Sequence, residues 1–358
     1  MPSLKEIKGR INSISSTLAI TSAMKMVAAA KLQKAQMAIQ NMLPYERRLH
    51  SMLIDLMGAM NISAAASEDG SVRGSGSAER GFDQSGDRLS LSNRHDLAGM
   101  DGAYSLMAQR EVRKVAIVAF ASNSSLCGAF NSNVIREATA VINEYRASGL
   151  GDADITVYSV GRKMAEAMKK LGFPSPADFT KMSDSPSYEA ASALAQELLD
   201  GFVSGRFDKV ELVYNHYKST SSQPTIRQTY LPLSLADATA DLQAGKITDS
   251  ASESDTNRVA EPVGAPVVRQ GSPTTEDLIV EPSKEALIAT LLPKVIRLRI
   301  FTTLLDSAAA EHAARTVAMQ LATDNGNDLL QELTLEYNKG RQQKITSEIL
   351  DLVGGSMQ

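Results

Sequence analysis

The sequence predicts an α/β domain with a mostly parallel sheet, carried between two terminal helices long enough to pair as an antiparallel coiled coil. Three observations lead there. Heptad-like apolar stripes run through both ends of the chain, strand and helix patterns alternate in its middle, and two Gly-, Ser- and Asp-rich stretches bracket that middle. The implied organisation is a shaft helix over residues 1–60, a linker over 61–111, an α/β domain over 112–235, a second linker over 236–282 and a second shaft helix over 283–358.

The N-terminal helix opens at Ser3, which can cap it, with Glu6 completing a capping box. Leu4, Ile7, Ile11, Ile14 and Leu18 mark a stripe that shifts after Thr21 to Met24, Ala28, Leu32, Ala35, Ile39 and Met42, as a stutter would shift it. About 40 residues give a rod of about 60 Å before Pro44, which is expected to kink or end it, and the pattern resumes through Leu49, Leu53 and Leu56. Beside the stripe the side chains are small, from Ser13, Ser15 and Ser16 to Ala28, Ala29 and Ala30. Two backbones can therefore approach closely, which favours an antiparallel partnership with the other terminal helix. Lys5, Lys8, Arg10, Lys25, Lys31 and Lys34 make this helix basic, either as a solvated face or, over Lys25 to Lys34, as a docking surface.

The segment from Ala64 to Arg110 lacks sustained periodicity and cannot bury enough apolar surface to offset chain entropy, and Ala236 to Pro282 is of the same kind. Both read as flexible linkers. Between them, Val112–Ala121 is a buried strand, Asn131–Ala147 an amphipathic helix, Ile155–Val160 a second strand and Arg162–Leu171 a second helix, stopped by Gly172 and Pro174. A weak strand near Asp178–Lys181 precedes a helix over Tyr188–Phe202. Val210–Tyr217 and Thr225–Leu233 form a hairpin across a Ser-rich turn. Alternating elements of this kind give a Rossmann-like, mostly parallel sheet with an antiparallel pair at its edge.

From about Pro293 to Leu352 the pattern is one helix of about 60 residues and about 90 Å, too long for any single core to cover. Leu298, Phe301, Leu305, Ala308, Met319, Ala322, Gly326, Leu329 and Leu333 mark one stripe, and Leu305, Ala309, Thr316, Met319, Leu330 and Tyr337 a second that is nearly as good. Two stripes suggest a helix that meets more than one surface, with an ordinary two-stranded coiled coil as the alternative. Gly326 and Gly340 each cost about 1 kcal/mol relative to Ala inside a helix, and close approach of another backbone is the benefit that would offset it.

Composition excludes several function classes. A net charge of −4 does not indicate a phosphate-binding or nucleic-acid surface. The one cysteine, Cys127, rules out an internal disulfide, and His50, His95, His216 and His312 lack ligand spacing, so neither metal nor cofactor is expected. No apolar run approaches the length of a membrane span, and the start MPSLKEIKGR lacks a signal-peptide core, so a cytosolic chain that docks on a membrane complex is expected. There is no Trp, and aromatics make up 5% of residues, which leaves few anchors to fix a partner in one orientation. The loop Ser122–Asn133 follows a strand, where α/β folds place ligands, but it is neither GxxxxGK[ST] nor GxGxxG. Cys127 and Gly128 read there as a tight structural turn seating a helix; the rival is a ligand-binding or enzymatic domain that uses this loop and has helical oligomerisation arms.

Three segments carry a family resemblance: Lys5 to Gln36, Ser125 to Asn131 (SLCGAFN), and Glu311 to Ile349 (EHAARTVAMQ through to ITSEI). With these the chain resembles the gamma subunit of bacterial F-type ATP synthases, the central rotor stalk. The resemblance implies a non-catalytic shaft whose far end penetrates a ring of alpha and beta subunits, and whose base meets epsilon and the membrane ring of c subunits. It places the protein peripherally, on the cytoplasmic side of the inner membrane, with membrane contact only through partners. It nominates Met24, Lys25, Lys31, Arg315, Gln320, Thr323 and Asn325 as shaft contacts with the alpha/beta ring, and Tyr217 and Lys218 as a foot on the c-ring or epsilon. Asn123, Ser124 and Ser125 depart from the charged residue and glycine usual before the LCG element, and both linkers are longer than the family core requires.

Overall fold

The computed structural model describes residues 3–68, 106, 110–233 and 284–356. Most of both stretches expected as linkers lies outside these residues. Helix α1 spans Leu4–Glu68, β1 Val115–Phe120, α2 Phe130–Ala147, β2 Ile155–Val160, α3 Arg162–Lys170, α4 Thr180–Asp184, α5 Tyr188–Val203, β3 Lys209–Asn215, β4 Thr225–Leu231 and α6 Lys284–Ser356. The 65 residues of α1 and 73 of α6 make rods of about 100 and 110 Å.

The sheet has the order β2-β1-β3-β4, with β1 parallel to both neighbours and β3 antiparallel to β4. All six residues of β1 are buried, because both faces of the sheet are covered. Val115, Ile117 and Ala119 pack with Val134, Val141 and Ile142 of α2 and Met164 and Met168 of α3. Ala116, Val118 and Phe120 point the other way, into a core built by Leu194, Leu198 and Phe202 of α5 and Leu292, Ile296 and Ile300 of α6. The same core takes Leu49, Leu53 and Leu56 of α1, so the lower halves of both long helices are part of the domain.

Several elements differ from the sequence expectation. The weak strand near Asp178–Lys181 is replaced by the short helix α4: the Asp178 carboxylate accepts the Thr180 N–H at 2.9 Å, and Met182 is buried. Pro44 neither ends nor interrupts α1, which continues to Glu68, so residues 61–68 are helical. Pro44 is exposed, so the carbonyl of Gln40 that it leaves without an N–H partner can turn to water. Likewise α6 begins at Lys284, ahead of Pro293, where burial of Ile288 and Leu292 holds the first turns on the domain. Within the first linker, Leu106 is buried in the same core, and its carbonyl accepts the Leu233 N–H at 3.1 Å.

Helices α1 and α6 run antiparallel. Leu4 sits beside Gly340, Leu18 beside Gly326, Thr21 beside Thr323, Leu32 beside Ala309 and Ala313, and Glu46 beside Thr302. A Cβ on Gly326 would lie 2.6 Å from Leu18 Cδ2, against 3.1 Å from Leu4 Cδ2 for one on Gly340, so α1 approaches the α6 backbone closely at both glycines and more closely at Gly326. The capping interaction at Ser3 is present, with the Glu6 N–H 3.3 Å from Ser3 Oγ.

Candidate functional site

The order β2-β1-β3 places the switch point of the sheet between the carboxyl ends of β1 and β3, where open α/β folds bind ligands. Here α6 fills that position. Ala310 packs on Cys127 and Phe130, while Ala309 and Ala313 pack on Leu32 of α1. The turn after β1 is shaped for this contact: Leu126 and Gly128 both adopt positive φ, of 70° and 58°, which folds Cys127 inward and leaves it 1% exposed. The Asn131 amide donates to Cys127 Sγ at 3.2 Å, and its carbonyl accepts the Ser122 N–H at 3.0 Å, so the helix start and the strand end are pinned together. The remaining groove, bounded by Phe130, the tip of the β3–β4 turn, Ala318 and Leu321, measures about 190 Å³. That is below the roughly 300 Å³ at which small-molecule pockets begin.

Around this crossing, polar groups tie the domain to both helices. Arg315 of α6 donates to Glu311 at 2.7 Å and to Ser124 Oγ in the β1 turn at 2.7 Å. On the other side, three consecutive residues from the last of β3 onward reach three helices between them. Asn215 donates to the Phe130 carbonyl at 3.1 Å. The His216 ring, through Nδ1, lies 2.6 Å from Asp306 Oδ2 on α6, and the Tyr217 N–H donates to Asp306 Oδ1 at 2.9 Å. The Tyr217 hydroxyl accepts from Gln36 of α1 at 2.7 Å. The hydrogen bond from Asp306 raises the His216 pKa above its ordinary value of 6.5, against the effects of burial and Lys218. His312 behaves oppositely: burial, then the charges of Arg315 and Lys31, depress it to about 4, and its Nδ1 has no hydrogen-bond partner. Burial also raises the Glu311 carboxyl, despite Arg315 beside it.

Beyond Leu321 the two helices leave the domain and run on as a bare pair, where Ile7 on α1 and Leu333 on α6 are the buried residues among those described. Ile20, Met26 and Val27 on α1, and Leu329, Leu335, Ile345, Ile349 and Leu352 on α6, point outward.

The nominated residues divide by position. Lys25 bonds Gln320 across the pair, and Thr323 Oγ1 lies 3.1 Å from Thr21 Oγ1, so these three are engaged within the shaft. Met24 is half-buried, while Lys31 and Asn325 face outward. Arg315 is held on the β1 turn, close to Cys127 and Gly128. Tyr217 is half-buried against both helices beside the crossing, and Lys218 next to it is exposed. Sequence reasoning did not find Gln36, Ser124, Asn215 or Asp306, and left His216 without a role. His216 and Asp306 are 90 residues apart and carry no spacing signal.

Comparison with known proteins agrees with this architecture. The sequence model of a family described as ATP synthase matches residues 3–357. A protein of Phocaeicola vulgatus named ATP synthase gamma chain is 47% identical over the whole of both chains. Its namesake in Bacteroides thetaiotaomicron is 45% identical, again over the whole of both. One in Flavobacterium johnsoniae is 36% identical over 99% of this chain and 98% of its own. Among solved structures, a chain of the Euglena gracilis mitochondrial ATP synthase (OSCP/F1/c-ring, rotational state 3) superposes with a TM-score of 0.52 at 18% identity, covering 99% of this chain and 93% of that one. This last similarity concerns the fold.

Proposed function

The chain belongs to the ATP synthase gamma-chain family, and from that membership we propose that it is the non-catalytic rotor shaft of an F-type ATP synthase. The observation that carries this reading is the form of the distal shaft: a slender antiparallel pair with apolar side chains on its outer surface and few aromatic anchors. A ring of alpha and beta subunits closing on that pair covers the apolar row, and the scarcity of large anchors avoids a deep energy minimum at one angle. Proton flow through the c-ring turns the shaft, and its asymmetry drives each beta subunit in turn through binding, synthesis and release. Epsilon and the c-ring meet the base, so the protein sits peripherally on the cytoplasmic face of the membrane and touches the membrane only through partners.

Within this proposal Lys31 and Asn325, which face outward, and Met24 beside them are the contacts offered to the ring. Lys25, Gln320 and Thr323 set the spacing of the two helices. Tyr217 and Lys218 lie at the shaft crossing, and we assign Tyr217 to holding the shaft instead of to a foot on the c-ring. The filled switch point supports a subunit without its own nucleotide site. The test is reconstitution: the purified chain should neither bind nor hydrolyse ATP, yet restore coupled ATP-driven proton transport to alpha, beta and the remaining subunits. ATP hydrolysis by the isolated chain, abolished by substitutions in the Ser122–Asn133 loop, would overturn it.

A further inference from the structure

The shaft has two mechanically different parts. Below the crossing, Leu49 and Leu53 of α1 and Ile296, Ile300 and Leu304 of α6 are embedded in the largest core of the domain. At the crossing itself α6 presents alanine methyls, Ala309, Ala310 and Ala313, to Leu32 of α1 and to Cys127 and Phe130 of the domain. Methyl groups pack closely but offer no ridge that resists sliding or rotation, because dispersion contacts have little directional preference. Hydrogen bonds do have one, weakening steeply as the donor angle departs from linear. Four directional contacts lie at this level, Arg315 to Ser124 on one side, and Asp306 to His216 and Tyr217 with Gln36 to Tyr217 on the other, while Tyr230 to the Ile296 carbonyl and Arg297 to Gln196 hold α6 within the domain lower down.

We propose that these contacts form a polar collar that fixes the rotation of the shaft relative to the α/β domain, and so set where the torsionally compliant part of the rotor begins. The proposal rests on the rotor reading. Tyr217 is its centre, since through one residue both helices are gripped: the backbone N–H holds α6 and the hydroxyl holds α1. The charged groups facing His216 are Asp306 from α6 and Lys218 from its own segment, and the carboxylate prevails. His216, Tyr217, Asp306 and Gln36 are positioning residues, acting on partner subunits only through the angle they impose.

A magnitude follows from lengths. From Leu4 to Gln36, α1 runs clear of the domain for about 50 Å, and releasing the collar moves its first fully buried anchor in the domain core down to Leu49, a further 20 Å or so. Torsional compliance of a uniform rod is proportional to its free length. Since α6 stays anchored by Leu304 beside Asp306, only α1 gains free length, and the compliance rises about 1.2-fold.

The experiment uses the chain assembled with alpha and beta subunits, with a bead attached to the α/β domain and the shaft tip held in the ring. Angular fluctuations of the bead report the compliance, and the melting temperature of the assembly reports stability. Tyr217→Phe keeps the ring and removes only the grip on α1, and Asp306→Asn weakens the grip on α6. The expected result is a fluctuation variance about 1.2-fold above wild type for Tyr217→Phe, larger in the double variant, and restored towards wild type when Asp306→Glu replaces Asp306→Asn. Fluctuations unchanged in Tyr217→Phe overturn the collar, whatever happens to the melting temperature. If Asp306→Asn does not assemble, Tyr217→Phe decides alone. A wild-type chain that fails to assemble with alpha and beta overturns the rotor reading itself.

Discussion

Two histidines on either side of the shaft crossing are set to titrate in opposite senses. The folded pKa of His216 is raised by Asp306, so its contribution is fully present below the ordinary value of 6.5 and is lost as pH rises through the raised value. The stability difference between wild type and His216→Gln should therefore be largest below pH 6.5 and shrink above it, as read by urea unfolding at a series of pH values. His312 is depressed to about 4 because it is buried beside Arg315 and Lys31. An unfolded chain then takes up the proton first, so His312 costs stability as pH falls from 6.5 to about 4. His312→Gln should flatten that part of the acid limb, and an unaltered limb would show that the site admits water. Away from the shaft, Glu211 on the interior strand β3 is held ionised. Burial pushes its carboxyl up, but Arg227, Lys209 and the Tyr145 hydroxyl outweigh that and leave it lowered. Removing one partner of such a buried charge is costly, so Arg227→Met should destabilise the domain by about 3 kcal/mol or more.

At the level of elements, the two long helices tolerate features that a short helix would not. Pro44 forfeits a hydrogen bond inside α1, and Pro44→Ala should stabilise the chain by about 1–3 kcal/mol in denaturant unfolding, because the exposed backbone there gains a bond without losing a contact. Gly326 behaves oppositely. Its would-be Cβ meets Leu18 at 2.6 Å, so Gly326→Leu should force the helices apart and cost about 1–3 kcal/mol despite the better helix propensity of leucine. The neighbouring Ala322 is exposed, and a bulky residue there should leave the isolated pair intact and act only on turnover in the assembly. The periodic elements were legible in the sequence because burial writes itself at spacings of two, three and four: the two rods, the buried strand β1 and the helices α2 and α5 all follow from it. The short helix α4 was not legible. Five residues are too few for a period to show, and the turn chemistry of Asp178 decides the matter locally. The collar was equally hidden, since Gln36, His216 and Asp306 come from three distant segments, and only packing of α6 across the sheet brings them together.

For the whole molecule, the α/β domain serves as a grip on the two long helices. Its switch point receives α6 in place of a small molecule, and the core on one face of the sheet is shared with the lower halves of both rods. The molecule is thus embedded at one end and bare at the other, with the transition near Asp306 and Arg315. That asymmetry is what lets a rigid base turn a thin distal shaft against several partner surfaces.

The pairing of Leu4 with Gly340 also dictates the order in which the molecule can be finished. These neighbours lie far apart in sequence, so α1, made before α6, has no mate until α6 has been made. The α/β domain, whose strands and helices lie between, can close before then and bring the two rods together at its own core. A ribosome that stalls within α6 would leave the apolar stripe of α1 uncovered, and so the later helix decides whether the earlier one aggregates.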